Sequence, residues 1–371
     1  MRILVWLICS ILAVGCSTGS SDQREAATDA PVESEVESEE DSEVGDVGDG
    51  DPSVPVLKIC DSAPPPEKVD QQWRNRSSRA VAKMTPRHVA SDILTTGADD
   101  ILIDAKFSYG RVLKDLEEEV VDIWYDDCSG SLQRLATLES DDEGWVYFRW
   151  AAEDLPAYGK YELYFHVPAD NSLARSTLRI LPQGTKLAVF DIDGTLTKGD
   201  GEVMRDLYTD ARRIFGDRDD YRPENRPGAP EVTRHRAEVQ DLVPLYVTGR
   251  PYWLKQRTHD WKDSDGFFAG HLQTTRTLRE WRPSEEGVAV FKTEYLQSLQ
   301  NQGFHIKVVY GDTDTDAHAY GQLGIASESI FFVGTRHQFE YGVELGEDYL
   351  EHLQMLQESA TEAVHQPFVL P

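Results

Sequence analysis

Two patterns of apolar residues divide most of the chain. Between residues 57 and 181, short runs of apolar, β-branched and aromatic residues are separated by polar turns. The six clearest runs are residues 101–109, 120–125, 132–138, 144–150, 161–167 and 176–181. Runs of this length and spacing predict a β-sandwich. From residue 183 onward, strand-like runs alternate with stretches of helical spacing, which predicts an α/β fold with a parallel sheet.

The N-terminal residues have the pattern of a targeting segment. A basic residue precedes an apolar stretch over residues 3–14, which is short for a bilayer span, and a Gly-Cys pair ends it. This ending resembles a bacterial lipobox, although Ala13 stands where leucine is commoner. We therefore expect residues 1–16 to be a signal peptide, Cys16 to be lipidated, and the protein to be an exported, membrane-anchored bacterial lipoprotein. An ordinary secretory signal and a plain membrane anchor are the alternatives.

Acidic residues dominate the segment that follows, residues 17–56, and it has low sequence complexity. This composition predicts a disordered tether, with metal buffering as an alternative that no ordered ligand spacing supports. Over all 371 residues the formal net charge is −29, and the pI is about 4.6. Such a charge disfavours nucleic acid as a partner and disfavours bulk electrostatic binding to anionic membranes. The predicted organisation continues with a β-sandwich over 57–182 and an α/β domain over 183–371.

Two cysteines lie in the region that is predicted to fold, Cys60 and Cys128. Export would permit a disulfide between them, and two unpaired buried thiols are the alternative. Neither cysteine belongs to a Cys-x-x-Cys pair or a Cys/His cluster, so a zinc site is not expected.

A pair of aspartates ends the first predicted strand of the α/β region. Asp191 and Asp193 follow the apolar residues 185–190 and precede a glycine that is typical of a tight turn. Ligands of open parallel sheets bind at this end of the strands. Two close carboxylates can share a cation and divide the roles of nucleophile and general acid or base, or they can simply form an acidic turn.

Three further strand or helix ends carry candidate phosphate and metal groups. Thr248 and Gly249 follow the apolar residues 243–247, where a hydroxyl and a backbone N–H can bind a phosphoryl oxygen or cap a helix. Lys292 opens a predicted helix, where it would balance a carboxylate and a phosphoryl group or lie on the surface.

The last candidate group follows the apolar residues 304–310. Asp312 and Asp316 offer hard oxygen ligands, with Asp312 expected to bind Mg²⁺ directly and Asp316 expected to act through water or by orienting the others. Asp314 has no assigned role. A calcium loop is the alternative, but the required later Gly and Glu spacing is missing.

These motifs, in this order, resemble the haloacid dehalogenase-like (HAD-like) phosphatases, and in detail the lipin branch. The resemblance covers residues 187–332 and includes the LNS2-type domain that lipins share with membrane-associated phosphatidylinositol transfer proteins. It implies a HAD-like Rossmannoid sheet, with Asp191 as the nucleophile that becomes phosphorylated and Asp193 as the acid that protonates the leaving group. Asp191 and Asp193 would also join Asp312 and Asp316 around Mg²⁺, with Thr248, Gly249 and Lys292 on the phosphoryl group.

The family resemblance also sets the expected function. It implies Mg²⁺-dependent phosphomonoester hydrolysis through an aspartyl-phosphate, with phosphatidate as one candidate substrate. Hydrolysis of soluble phosphomonoesters is a second hypothesis, and binding of phosphatidic acid without catalysis is a third. Both motif aspartates are kept, which favours activity. The segment 311–314, Gly-Asp-Thr-Asp, departs from the lipin motif, in which an asparagine is usual, and this weakens the case for a lipid substrate.

Overall fold

The structure is a computed structural model that describes residues 58–59, 63–199, 223–276, 285–334 and 341–365. The predicted signal peptide with Cys16, the acidic tether and Cys60 all lie outside the described residues. Residues 202–215, whose apolar spacing predicts a helix, lie outside them as well. Within the described ranges, none of the helices has both the length and the apolar character needed to cross a membrane.

The N-terminal part of the described chain is sandwich-like. Its elements are β1 (Lys58–Ile59), α1 (Arg76–Val81), β2 (Val89–Ala90), β3 (Ile93–Thr95), β4 (Ile101–Lys106), β5 (Ser108–Tyr109), β6 (Lys114–Asp115), β7 (Val120–Asp126), β8 (Leu132–Glu139), β9 (Trp145–Trp150), β10 (Gly159–Val167) and β11 (Ser172–Ile180). One sheet has the order β3-β11-β10-β7-β8 with β1 beside β10, and a second has the order β2-β4-β9. The predicted runs therefore form strands, with shifted ends.

Alternation along the strands explains why these two sheets pack together. In β4, Ile101, Ile103 and Ala105 lie in the core, as does Val146 of the paired strand β9. The other sheet supplies buried residues from β7, β10 and β11 to the same core, including Phe165. Inward residues at every second position give each sheet one apolar face, and burying the two faces against each other removes both from water.

The second part of the chain is a parallel α/β arrangement. Its elements are β12 (Lys186–Phe190), α2 (Ala229–Glu238), β13 (Val243–Pro251), α3 (Lys255–Ser264), β14 (His271–Thr275), α4 (Val290–Asn301), β15 (His305–Gly311), α5 (Asp314–Gln322), β16 (Ile330–Phe332), β17 (Val343–Glu344) and α6 (Leu350–His365). The strand order is β14-β13-β12-β15-β16-β17, and each neighbouring pair is parallel.

Strand β12 lies inside this sheet and is buried on both faces. Leu187 and Val189 point into one apolar cluster, which α4 and α5 cover. Ala188 and Phe190 point into the other cluster, to which α2 and α3 contribute. A continuous apolar run is expected for a strand that is covered on both sides, because neither face meets water. The sequence pattern and the observed sheet agree here.

Candidate active site

Three neighbouring strands carry the predicted site residues to one edge of the sheet. Asp191 directly follows β12, and its backbone N–H donates to the carbonyl of Tyr310 in β15 at 3.0 Å. Asp312 directly follows β15, and Thr248 lies near the end of β13. Since the strands are parallel and adjacent, their carboxyl ends meet at this edge, as in other open α/β sheets.

Three carboxylates and one ammonium form a buried group at this edge, which we call the carboxylate group. Asp191, Asp312 and Asp316 each offer an oxygen, and these oxygens lie within 4.8 Å of one another. Lys292 in α4 donates to Asp191 Oδ1 at 2.6 Å and to Asp316 Oδ1 at 2.5 Å. All four residues are buried. With every group ionised, these four residues carry three negative charges and one positive charge, a balance that suits a divalent cation.

The charge state of this group follows from burial and from the ion pairs. Burial raises the pKa of Asp191, Lys292 opposes that shift, and the carboxylate of Asp316 adds to it. Burial alone would lower the pKa of Lys292, but Asp191 and Asp316 raise it above its usual value. The ammonium of Lys292 therefore stays charged, whereas the net shift raises the pKa of Asp191 to about 7.

Asp316 orients the loop that presents Asp312. Its Oδ2 accepts from the backbone N–H of Asp312 at 3.2 Å and from the hydroxyl of Thr313 at 2.9 Å, within a capping box that begins α5. Gly311 allows this close packing, because a Cβ there would lie 2.5 Å from the Cβ of Asp316. Asp314, by contrast, is exposed at the start of α5.

Thr195 links two of the carboxylates and was not among the predicted site residues. Its hydroxyl lies 3.1 Å from Asp191 Oδ2 and 3.0 Å from Asp312 Oδ1. Gly194, at a φ of 84°, makes the turn that returns the chain toward the strand end. The Gly-Thr pair after Asp193 was visible in the sequence. The contact of Thr195 with Asp312 could not be seen there, because Asp312 lies far along the chain.

The fourth predicted metal ligand, Asp193, is not brought into the carboxylate group. The guanidinium of Arg250 donates to Asp193 Oδ1 from Nη2 at 2.8 Å and to Oδ2 from Nε at 3.0 Å. Thr248, predicted to bind a phosphoryl oxygen, donates its hydroxyl to Asp193 Oδ2 at 3.0 Å. The Asp193 carboxylate is thus paired at two points with a fully buried arginine, and its assignment to the metal stays a prediction.

The remaining predicted residues have separate positions. Gly249 lies between Thr248 and Arg250 in β13, where a Cβ would meet the γ carbons of Val288 at 3.0 and 3.1 Å. Cys128 is disulfide-bonded, and its predicted partner Cys60 lies outside the described residues. The structure therefore places Asp191, Lys292, Asp312 and Asp316 together, with Asp193, Thr248 and Arg250 beside one another.

Comparison with known proteins gives matches for both parts of the chain. Residues 86–180 match the family model "PITM 1-3, beta-sandwich domain", and residues 188–334 match the model "PITM 1-3, LNS2 domain". Protein retinal degeneration B of Drosophila melanogaster is 27% identical over 299 residues, which cover 79% of this chain and 22% of that protein. Membrane-associated phosphatidylinositol transfer protein 3 of Mus musculus is 27% identical over 302 residues, covering 79% and 28%.

The chain thus spans about a quarter of the length of these curated relatives. Among solved structures, the β-glucuronidase of Bacteroides uniformis aligns with 74% of this chain and 38% of its own at 10% identity. The TM-score of that alignment is 0.22, so it carries no argument.

The relatives overturn the expected localisation. The proteins that match across most of the chain include protein retinal degeneration B of the fly and membrane-associated phosphatidylinositol transfer protein 3 of mouse and human. None of these is an exported bacterial lipoprotein. The prediction of an exported bacterial lipoprotein on the periplasmic or cell-surface face is therefore wrong. It depended on a short apolar stretch and one cysteine, a pattern too local to identify a compartment. The matches of both regions instead support the LNS2 and membrane-associated phosphatidylinositol transfer protein branch.

Proposed function

We propose that residues 183–371 are a HAD-like domain that hydrolyses phosphomonoesters with Mg²⁺, and that residues 57–182 are a separate β-sandwich domain. The observation that supports this best is the carboxylate group. A nucleophile candidate, Asp191, lies buried at a strand end with Lys292 at 2.6 Å and two further carboxylates close by. The order of the motifs along the chain also supports phosphomonoester hydrolysis.

The residues of the carboxylate group suit Mg²⁺, because hard carboxylate oxygens are its preferred protein ligands. Asp191 and Asp312 are the proposed direct ligands. Asp316 already accepts from Lys292 and Thr313, so we propose that it orients the others. When bound, the ion would offset the negative charge of the group and of an incoming phosphate.

In the proposed reaction, a carboxylate oxygen of Asp191 attacks phosphorus and forms an aspartyl-phosphate as the ester P–O bond breaks. The leaving oxygen takes a proton from Asp193, and the same carboxylate then accepts a proton from the water that hydrolyses the acyl phosphate. Lys292 balances the charge on the transferred group, and Thr248 and Gly249 are proposed to donate to its oxygens. The products are an alcohol and inorganic phosphate.

We propose phosphatidate as the substrate: the relatives are named as membrane-associated phosphatidylinositol transfer proteins, which supports a lipid ligand, and the lipin resemblance supplies phosphatidate itself. A soluble phosphomonoester is the alternative substrate. Because the chain covers about a quarter of those relatives, we do not extend their transfer activity to it.

A second candidate function is binding of phosphatidic acid without hydrolysis. The observation in its favour is the two-point pairing of Asp193 with Arg250, which occupies the proposed acid and base. Both oxygens of Asp193 already accept from Arg250, so a leaving-group oxygen would have to compete with these donors for the carboxylate.

One experiment separates the two functions and the two substrate classes. Inorganic phosphate release is measured from phosphatidate vesicles, lysophosphatidate, glycerol 3-phosphate and p-nitrophenyl phosphate, each with Mg²⁺ and with EDTA. The hydrolase proposal expects Mg²⁺-dependent release that Asp191→Asn abolishes, and a preference for vesicles would identify the lipid substrate. Asp314→Asn is the matched control, because this aspartate is exposed and outside the carboxylate group.

The contrary result is equally specific. If no substrate releases phosphate while vesicles that contain phosphatidic acid still bind the protein more tightly than phosphatidylcholine vesicles, the binding function replaces the hydrolase. If neither release nor selective binding occurs, both functions are wrong.

A further inference from the structure

A buried carboxylate of the sandwich-like part, Asp92, is bound by side chains of the α/β part. It lies between β2 and β3, and its side chain is 2% exposed. Oδ1 accepts from Lys255 Nζ at 2.6 Å and from the backbone N–H of Thr177 at 2.9 Å, and Oδ2 lies 2.9 Å from His259 Nε2. Burial alone would raise the pKa of Asp92, but Lys255 and His259 hold it well below its usual value. The Asp92 carboxylate is therefore held in its ionised form within a buried contact.

Both partners of Asp92 come from one face of α3. Lys255 and His259 are four residues apart in the helix Lys255–Ser264, so their side chains lie one above the other. Lys255 also donates to the carbonyl of Ala90 at 2.5 Å. Residues 52–371 form one compact unit, in agreement with a firm contact at this helix. The position of α3 is thus tied to the β2–β3 segment.

Two other residues of the same helix contact Arg250. The hydroxyl of Thr258 accepts from Arg250 Nη1 at 3.2 Å, and the ring of Trp261 lies 5.5 Å from the guanidinium carbon. These contacts leave Nε and Nη2 directed at Asp193. One rigid helix therefore connects a carboxylate of the sandwich-like part to the arginine that holds the proposed acid and base.

We propose that Asp92 is a positioning residue for the phosphatase site, acting through Lys255 and His259 on α3 and then through Arg250 on Asp193. This inference rests on the proposed function, because it assigns a remote support to that site. It gives the sandwich-like part a defined task in the reaction: it sets where α3 lies, and α3 sets the orientation of the Arg250 guanidinium.

Loss of the Asp92 charge would act on α3 first. In Asp92→Asn, the ammonium of Lys255 is left buried without a carboxylate, and a buried unpaired charge moves toward water or forces its surroundings to move. A small displacement of α3 would shift Thr258 and Trp261 and thus re-aim Arg250. Misplacement of a catalytic group by about 1 Å lowers turnover by up to about 100-fold.

A double-mutant cycle tests this route in the full chain. Turnover of the substrate that is hydrolysed fastest is measured for wild type, Asp92→Asn, Arg250→Gln and the double variant. We expect Asp92→Asn to lower kcat about 10-fold or more with less change in KM. Arg250→Gln should lower kcat further, and the double variant should equal Arg250→Gln alone, because both changes act on one unit. If the kcat losses of the two single variants multiply in the double variant, the proposal is wrong.

Glu119→Gln is the control for a general loss of stability. Glu119 is as buried as Asp92 and also lies in the sandwich-like part, but it accepts from the backbone of Arg74 and Asn75 and not from α3. We expect its kcat to stay within about twofold of wild type, since it is not linked to the site. A loss of kcat equal to that of Asp92→Asn would overturn the proposal.

Amide hydrogen exchange over residues 252–262 gives a readout that needs no turnover. We expect faster exchange there in Asp92→Asn and wild-type exchange in Glu119→Gln. Should wild type release no phosphate, the proposed function fails while this measurement still tests the link. Unchanged exchange in Asp92→Asn would overturn the link itself.

Discussion

Lys292 Nζ lies 2.6 Å from Asp191 Oδ1, and the two residues are 101 positions apart in the sequence. The strand end that carries Asp191 is buried, which by itself would favour the neutral acid. The ammonium on α4 supplies the opposite charge that a buried carboxylate requires. The pairing offsets part of the cost of burial, and the pKa of Asp191 is still raised to about 7. The ionised form is the one that can attack phosphorus.

Asp191→Asn should abolish turnover. The amide keeps the size and hydrogen-bonding capacity of the side chain but cannot form an acyl phosphate, so we expect kcat to fall at least about 1000-fold. Phosphate release under saturating Mg²⁺ measures this loss, with circular dichroism to show that the fold is kept. Turnover close to wild type would exclude the covalent mechanism.

Asp312→Ala should raise the Mg²⁺ requirement. Removing one proposed direct ligand leaves Asp191 as the principal carboxylate for the ion, so the half-maximal Mg²⁺ concentration should rise about tenfold or more. The exposed Asp314 provides the comparison, and Asp314→Ala should change this concentration less than Asp312→Ala. Full activity in excess EDTA would rule out the metal, and a larger effect at Asp314 would show that the ligand assignment is misplaced.

Gly249→Ala should lower activity, and Val288→Ala should restore part of it. An alanine Cβ at 249 would lie 3.0 to 3.1 Å from the γ carbons of Val288, so the segment between Thr248 and Arg250 must shift. That segment holds Asp193, and we expect kcat to fall about tenfold. Shortening Val288 removes those γ carbons. Failure of the double variant to recover would mean that glycine is needed at 249 for another reason.

The strands and the carboxylates at their ends could be predicted from the sequence because both depend on local patterns. The apolar run of β12 and the aspartate directly after it are neighbours in the chain, and parallel strands end at one edge. Asp314 and Asp316 also depend on a local pattern. Both lie in the first turn of α5, where Asp314 is exposed and Asp316 is buried.

Side-chain partners from distant segments could not be predicted in this way. Arg250 binds Asp193 across 57 positions, and Lys255 binds Asp92 across 163. Neither contact produces a periodic pattern in the sequence, because each forms only where two distant elements pack against each other. Asp193 illustrates this: two carboxylates close in the sequence suggested a shared ion, and the structure pairs one of them with an arginine.

Acidification should weaken the fold through His352, a buried residue of α6. Its Nε2 accepts from the hydroxyl of Tyr310 at 2.9 Å and faces Nη2 of Arg236, which can only donate, at 3.4 Å. Burial and the charge of Arg236 lower the pKa of His352 from 6.5 to about 4. The unfolded chain therefore binds this proton between pH 6.5 and 4 while the folded chain does not. Stability is complete above pH 6.5 and falls as the pH drops through this window.

Urea unfolding at pH 7 and pH 5 measures the effect. From the lowered pKa, this one group should remove about 2 kcal/mol of unfolding free energy between the two values. His352→Gln supplies an acceptor that does not titrate, so the wild-type loss between pH 7 and pH 5 should shrink by about that amount. The exposed His318 of α5 provides the control variant His318→Gln, which should follow wild type. If wild type and His352→Gln lose the same unfolding free energy between pH 7 and pH 5, His352 binds its proton equally in the folded and the unfolded chain. That result would refute the argument.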